Sequence, residues 1–120
     1  MLQMDEIKNN RKLVFKIDWD MTPEEAVRQY LEWGNNNWKE GNYAIRSDNE
    51  ESYYFVVYTW DETPKIFLIK RNSKYAEELA EFELPQHLKQ NFYDYAGRFK
   101  GVFAVKGDVR IWLQKELEYN

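Results

Sequence analysis

The chain has 120 residues with 17 basic and 21 acidic side chains, which give a formal net charge of −4 at pH 7, and 43% of its residues are hydrophobic. This length suits one domain with one hydrophobic core, and the absence of cysteine excludes disulfides, thiolate metal sites and a cysteine nucleophile. The chain has no apolar run near the roughly 18 residues of a spanning helix and no secretion-signal pattern, so the sequence predicts a cytoplasmic protein without membrane contact.

The beginning of the chain contains a polar segment followed by a short alternating one. Residues 1–12 show no sustained periodicity, which predicts a loosely ordered or weakly helical lead-in that contributes no core residues. In residues 13–18, Leu13, Phe15 and Ile17 occupy alternate positions, which is the period of a half-buried strand. We therefore predict a first strand over these residues.

The clearest local signal is the start of a helix. Thr22-Pro23-Glu24-Glu25 combines a capping threonine, a proline at the first helical position and a glutamate that completes a capping box. An apolar stripe with helical spacing follows and ends before Gly34. The pattern predicts a helix over about residues 23–33.

The middle of the chain has the pattern of three strands joined by polar turns. We predict these strands over residues 42–47, 52–60 and 65–71. Residues 52–60 are mostly apolar or aromatic at successive positions, which predicts a central strand covered on both faces. The short connection at residues 61–64 permits only an antiparallel return.

The last third has helical patterns. We predict one helix over residues 73–82 and another over residues 85–96, meeting at a proline. Residues 102–113 fit either a hairpin or a lead into a helix that begins at Asp108, and the propensity of the residues after it favours the helix. These elements predict one α+β domain, with a mainly antiparallel four-stranded sheet in the order β-α-β-β-β followed by about three packed helices.

One short motif suggests catalysis. The segment Asp18-Trp19-Asp20-Met21-Thr22 resembles the nucleophile motif of haloacid dehalogenase-like phosphatases. The resemblance implies that Asp18 attacks phosphorus, that Asp20 protonates the leaving group and that a magnesium ion neutralises both. The rest of the chain departs from the parallel sheet of that family, and the charge preference of a helix N-terminus also accounts for both aspartates. Because the resemblance is limited to this motif, a divalent-metal-dependent phosphohydrolase that uses Asp18 and Asp20 is an alternative function and not the leading hypothesis.

Nucleic-acid binding is a second alternative. Residues 100–105 resemble the strand motif of RNA-recognition domains, but the aromatic residue Phe103 falls on the opposite face from the rings of that motif. A basic patch that would bind single strands contains Lys70, Arg71, Lys74, Arg98, Lys100, Lys106 and Arg110. The net charge of −4 opposes attraction to a phosphate backbone, which argues against this alternative.

Aromatic residues make up 18% of the chain, and this share is its unusual feature. Rings fill cores and also anchor interfaces, and we interpret most of them as core. Trp38 and Trp60 lie at element ends beside polar turns, which predicts that they are exposed, and with Tyr58 they are the candidate binding residues. His87 is the only histidine and is predicted on a helix surface, so no histidine metal cluster and no cofactor are predicted.

One longer stretch of the chain carries a family resemblance. Residues 19–27 (Trp-Asp-Met-Thr-Pro-Glu-Glu-Ala-Val) and residues 30–36 (Tyr-Leu-Glu-Trp-Gly-Asn-Asn) resemble small uncharacterised bacterial single-domain proteins. The resemblance implies an unassigned bacterial domain and brings no site residues with it.

The sequence contains no convincing catalytic constellation, so it favours a protein that is not an enzyme. The leading hypothesis is a non-catalytic binding or regulatory module that recognises a protein or a small ligand through an aromatic-rich surface. A homodimer is one arrangement of such a module.

Overall fold

The structure is a computed structural model that describes residues 1–20, 51–59, 61–72, 76–95 and 101–119. The elements in these ranges are four helices, one 3-10 turn and four strands: α1 (Met4–Asn9), α2 (Arg11–Lys16), β1 (Glu51–Tyr58), β2 (Lys65–Asn72), β3 (Ala76–Glu83), α3 (Gln86–Lys89), the 3-10 turn (Gln90–Phe92), β4 (Val102–Ala104) and α4 (Asp108–Glu116). The helix predicted at residues 23–33 and the strand predicted at residues 42–47 lie outside the described residues. No helix in the described ranges is long and apolar enough to cross a bilayer.

The four strands form one antiparallel sheet in the order β3-β2-β1-β4. Strands β1 and β2 pair over eight residues, from Glu51 opposite Asn72 to Tyr58 opposite Lys65. The predicted antiparallel return after residues 61–64 is therefore confirmed, as is the α+β class with a four-stranded antiparallel sheet. The order of the elements differs from the predicted one, because two predicted elements change type.

Both faces of β1 are buried, as the continuous apolar run predicts. Side chains alternate between the faces along a strand, and directly paired residues share a face. The first face packs against the helices around Phe55, Val57, Ile66 and Leu68. The second face holds Tyr54, Val56, Tyr58, Phe67, Ile69, Val102 and Ala104.

The strand predicted over residues 13–18 is wrong, because these residues contribute to helix α2 and its end. Leu13, Val14 and Ile17 are buried while the Phe15 side chain is 55% exposed, which fits helical spacing and not alternation. The Asn10 side chain accepts a hydrogen bond from the Leu13 backbone N–H at 3.2 Å and so caps α2. A run of only six residues fits both the strand period and the helix period. The cap at Asn10 and the burial of Val14 show that the segment is helical.

The lead-in predicted as loosely ordered or weakly helical contains the six-residue helix α1. Its first turn is closed by the Gln3 backbone N–H, which donates to the Glu6 carboxylate at 2.9 Å. Ile7 is fully buried in the core of the first face. The prediction that this segment contributes no core is wrong, because Met4 and Ile7, the two apolar residues of this short helix, form too short a pattern to detect as periodicity.

The helix predicted over residues 73–82 is wrong for residues 76–82, because Ala76–Glu83 is strand β3 at one edge of the sheet, and residues 73–75 lie outside the described ranges. It pairs with β2 from Lys65 opposite Glu83 to Arg71 opposite Ala76, with an irregularity between Leu68 and Ile69. Glutamate and alanine favour helices in isolation, but pairing with β2 overrides that preference. The helix predicted from residue 85 is shorter than expected, comprising α3 and the 3-10 turn.

The last segment contains both a strand and the favoured helix. Strand β4 pairs with β1, and α4 begins at Asp108 as predicted, directly after Gly107 with φ of +60°. Val109, Leu113 and Leu117 recur every four residues and are buried. The Arg11 guanidinium donates to the backbone oxygens of Leu117 at 2.9 Å and Glu118 at 2.7 Å, so a cation at the start of α2 stabilises the end of α4.

Candidate functional site

The two aspartates of the phosphatase-like motif occupy a local turn after α2. The Asp18 carboxylate accepts a hydrogen bond from the Asp20 backbone N–H at 2.9 Å. The Asp20 carboxylate lies 3.1 Å from the Arg110 guanidinium and its side chain is 76% exposed. No group of three or more histidine, aspartate or glutamate side chains in the described part of the chain is arranged to hold a metal ion. In this structure the motif follows helix α2, whereas the motif of the phosphatases that it resembles follows a strand of a parallel sheet.

Tyr58 lies inside the second face of the sheet, where only 1% of it is exposed. Its ring stacks on Phe67 with centroids 3.8 Å apart, and its hydroxyl donates a hydrogen bond to the Glu81 carboxylate. The Lys65 ammonium lies 3.7 Å from the same carboxylate and 3.4 Å from that of Asp61. Burial, and then the hydrogen bond to Glu81, raise the pKa of Tyr58 far above its ordinary value. Tyr58 thus joins the edge strand to the sheet and does not present its ring to solvent. Trp38 and Trp60 lie outside the described residues.

Because of the Tyr58 hydroxyl, the stability difference between the wild-type protein and the Tyr58→Phe variant should depend on pH. Replacing Tyr58 with phenylalanine is expected to cost about 1 kcal/mol at pH 8, because Glu81 loses its donor but keeps Lys65 nearby. A tyrosine in the unfolded chain ionises near pH 10, whereas the folded Tyr58 hydroxyl keeps its proton. The contribution of this hydroxyl to the free energy of unfolding is therefore fully present below about pH 10 and decreases above it. The difference between the two proteins should narrow by about 0.8 kcal/mol between pH 8 and about pH 10.5 in urea unfolding. A difference that stays constant or widens would contradict this assignment.

Exposed rings in the described ranges are few, with one on α2 and two directly after the 3-10 turn. Phe15 is 55% exposed and packs on Tyr119, with ring centroids 5.7 Å apart. Tyr93 and Tyr95 are each 40% exposed, and Tyr95 contacts Phe103 at 5.0 Å. Trp19 is buried between Phe55 and Tyr119, and its indole N–H finds no acceptor among the described residues.

In strand β4, Phe103 lies on the opposite face from Val102 and Ala104, as the alternation along the strand predicts. Val102 and Ala104 are buried in the second face, while Phe103 packs toward Phe92 on the opposite side. His87 is exposed on α3, as predicted. Arg110 is engaged with Asp20, so it does not contribute an unpaired charge to the predicted basic patch.

An open pocket lies where α2 meets the first face of the sheet. Its volume is about 350 Å³. It is lined by polar and apolar side chains from the N-terminal segment, α2 and all three long strands: Leu2, Asn10, Lys12, Leu13, Lys16, Tyr53, Lys70 and Leu79. We call this site the lysine pocket after Lys12, Lys16 and Lys70.

The lysine pocket is positioned by contacts between distant parts of the chain. Ile17 forms a parallel bridge with Tyr53, and the Asp18 backbone N–H donates to the Tyr53 oxygen at 2.7 Å, which holds the end of α2 against β1. Lys70 lies opposite Tyr53 in the register of β1 and β2. The Leu2 backbone N–H donates to the Leu79 oxygen at 2.9 Å and so closes the edge beside β3.

The charges of the lysine pocket are mostly positive. Lys12 and Lys16 are four residues apart on α2, both are exposed, and neither forms an ion pair with any residue that the structure describes. Helix α2 has no acidic residue in its first turn. Lys70 lies opposite Glu77 in the register of β2 and β3, so one carboxylate is near the third lysine. Lys12 and Lys16 therefore give the lining of the pocket a positive charge that favours an anion.

Sequence reasoning missed this site for an identifiable reason. A strand over residues 13–18 would place Lys16 and Asp18 together on the face opposite Leu13, Phe15 and Ile17, so this prediction hid the pair formed by Lys12 and Lys16. The spacing of four between these lysines is a signal that a helical interpretation would have detected. Lys70 was among the candidates for a basic patch, but its proximity to α2 is a tertiary contact that the sequence does not reveal.

Comparison of the chain with protein-family models, with curated proteins and with solved structures found no match. The resemblance of residues 19–36 to small bacterial single-domain proteins therefore stays an interpretation of the sequence. The fold and the lysine pocket are the basis for a functional proposal.

Proposed function

We propose that this protein is a non-catalytic binding module that holds a small anionic molecule in the lysine pocket. The observation that supports the proposal is that three lysines line one pocket of about 350 Å³ in a chain whose net charge is −4. Pockets of this size are typical of small-molecule sites, in which a few polar groups orient the ligand. The proposal keeps the binding function favoured by the sequence and replaces the aromatic surface with a basic pocket.

The charge pattern of α2 supports a role in binding rather than in stability. Like charges at positions i and i+4 of a helix cost about 0.2–0.5 kcal/mol, and Lys12 and Lys16 have this spacing. A cation in the first turn, such as Lys12, also opposes the helix dipole. An anion between the two ammonium groups would offset both costs. Local charge arrangements that oppose stability are common at functional sites.

A thermal-unfolding series tests the proposal. Sodium octanoate, sodium acetate and sodium phosphate serve as probes in a low-salt buffer. At a probe concentration near the wild-type Kd, the double variant Lys12→Gln/Lys16→Gln should lose about 85% of the probe-dependent stabilisation, which corresponds to roughly tenfold weaker binding. The matched control is Lys106→Gln/Lys115→Gln, which removes the same charge from two exposed positions elsewhere. This control also corrects for general stabilisation by excluded salts.

The same variants provide a second measurement without any probe. Removing the repulsion between Lys12 and Lys16 should raise the free energy of unfolding by about 0.2–0.5 kcal/mol in low salt. The proposal is rejected if none of the probes stabilises the wild-type protein. It is equally rejected if the two double variants respond to the probes in the same way.

A further inference from the structure

We infer that the lysine pocket selects amphipathic organic anions, in which an acidic head group is attached to an apolar body. This inference rests on the proposed function and specifies the chemical class of the ligand. The head group would lie among the lysines and the apolar body along the leucines of the pocket. The ligand class follows from the composition, the size and the charge chemistry of the lining.

The pocket has an apolar side as well as a charged one. Leu2, Leu13 and Leu79 line it together with the ring of Tyr53. Leu13 belongs to the buried core, while Leu2 and Leu79 are partly exposed where they meet the pocket. An inorganic anion gains nothing from these leucines, whereas burying a hydrocarbon chain against them is favourable.

The size of the pocket exceeds that of a simple anion. At roughly 30 Å³ for each water in the liquid, a volume of about 350 Å³ corresponds to about a dozen water molecules. A phosphate or acetate ion would leave most of this space to solvent. A medium-chain carboxylate has both the volume and the polarity that the lining offers.

The cations of the pocket lining are all lysines. A lysine ammonium is a compact point charge on a flexible stem, whereas arginine offers a planar fork that fits carboxylate and phosphate in two-point contacts. The pocket therefore recognises the charge of the head group more than its shape. Selectivity among anions must then come from the apolar body, which the leucines contact.

Four probes separate the contributions of charge and apolar surface. Octanoate carries both, acetate and inorganic phosphate carry charge alone, and octanol carries the same chain without charge. Affinity is measured by calorimetry or by titration of backbone amide resonances, below the micelle-forming concentration of octanoate. We expect octanoate to bind at least a hundredfold more tightly than acetate, since each buried methylene contributes up to about fourfold. Octanol should bind at least tenfold more weakly than octanoate.

Two variants assign these effects to the two sides of the pocket. Lys12→Gln/Lys16→Gln should weaken octanoate binding tenfold or more and leave octanol binding unchanged. Leu2→Ser should weaken octanoate binding about threefold to tenfold and leave phosphate binding unchanged. Leu2 is suited to this test because its hydrogen bond to Leu79 uses the backbone and survives the substitution.

The outcomes distinguish this inference from the proposed function. If phosphate or acetate binds as tightly as octanoate and the binding depends on Lys12 and Lys16, the anion-binding function stands and the amphipathic ligand class is overturned. If octanol binds as tightly as octanoate, the ligand class is overturned because charge does not contribute. If no charged probe binds, the proposed function itself fails.

Discussion

Replacing Ile7 with alanine is expected to lower the free energy of unfolding by about 2–4 kcal/mol, the range for large-to-small substitutions in a packed core. Ile7 is fully buried in the core of the first sheet face, although it lies in a segment whose composition predicts a loose lead-in. Truncation would leave a cavity between α1 and the sheet that a six-residue helix cannot easily fill by shifting. Urea unfolding followed by tryptophan fluorescence measures the effect.

The matched control for this prediction is Ile111→Ala. Ile111 is the same residue type on α4, but it is 65% exposed, so its truncation should change stability by less than about 0.5 kcal/mol. Equal, small effects of the two substitutions would show that α1 does not pack on the core as described. The lead-in predicted from composition would then be correct.

The second large effect is expected at Val14, whose replacement with alanine should cost about 2 kcal/mol. Val14 is fully buried on the inner face of α2. Its neighbour Phe15 is 55% exposed and makes a tilted ring contact with Tyr119 and a cation–π contact with Arg11 at 5.3 Å. Despite its larger side chain, Phe15→Ala should therefore cost less than about 1 kcal/mol.

The ranking of these two substitutions distinguishes a helix from a strand. A strand over residues 13–18 would bury Phe15 and expose Val14, so Phe15→Ala would cost about 3–5 kcal/mol and Val14→Ala almost nothing. Chemical unfolding of both variants at pH 7 provides the comparison. The result also tests the geometry of the lysine pocket, because Lys12 and Lys16 line this pocket as residues of helix α2.

The hairpin of β1 and β2 was the part of the fold that the sequence predicted well. The continuous apolar run of β1 is informative because a strand buried on both faces needs apolar residues at every position, and few other elements do. The turn at residues 61–64 is informative because so short a connection permits only an antiparallel neighbour. Both signals are local, and both are confirmed by the pairing of β1 with β2.

Strand β3 shows where local signals mislead. Glu77, Glu78 and Glu81 favour a helix by intrinsic propensity, yet they belong to an edge strand. Charged residues on an edge strand prevent pairing with other chains, and the hydroxyl of Tyr58 gives Glu81 a hydrogen-bond partner. These contacts form only when β3 pairs with β2, so the residues around β3 in the sequence do not predict them.

The candidate site depended on tertiary structure even more than the fold did. The sequence singled out Asp18 and Asp20 because they form a compact motif, and the structure places both in a local turn, with Asp20 in an ion pair with Arg110. Lys12 and Lys70, which lie far apart in the chain, line the same pocket without any motif to connect them. Sites assembled from separate elements leave no fixed spacing in the sequence.

By itself, the sequence determined the fold class, the central hairpin and the net charge, because these follow from composition and from patterns within about ten residues. Only the tertiary structure decided that residues 11–16 are helical, that residues 76–83 form a strand and that three lysines share a pocket. The physical reason is that short segments have nearly equal intrinsic preferences for helix and strand. The free energy of packing against the rest of the chain is larger than that difference and selects the final state.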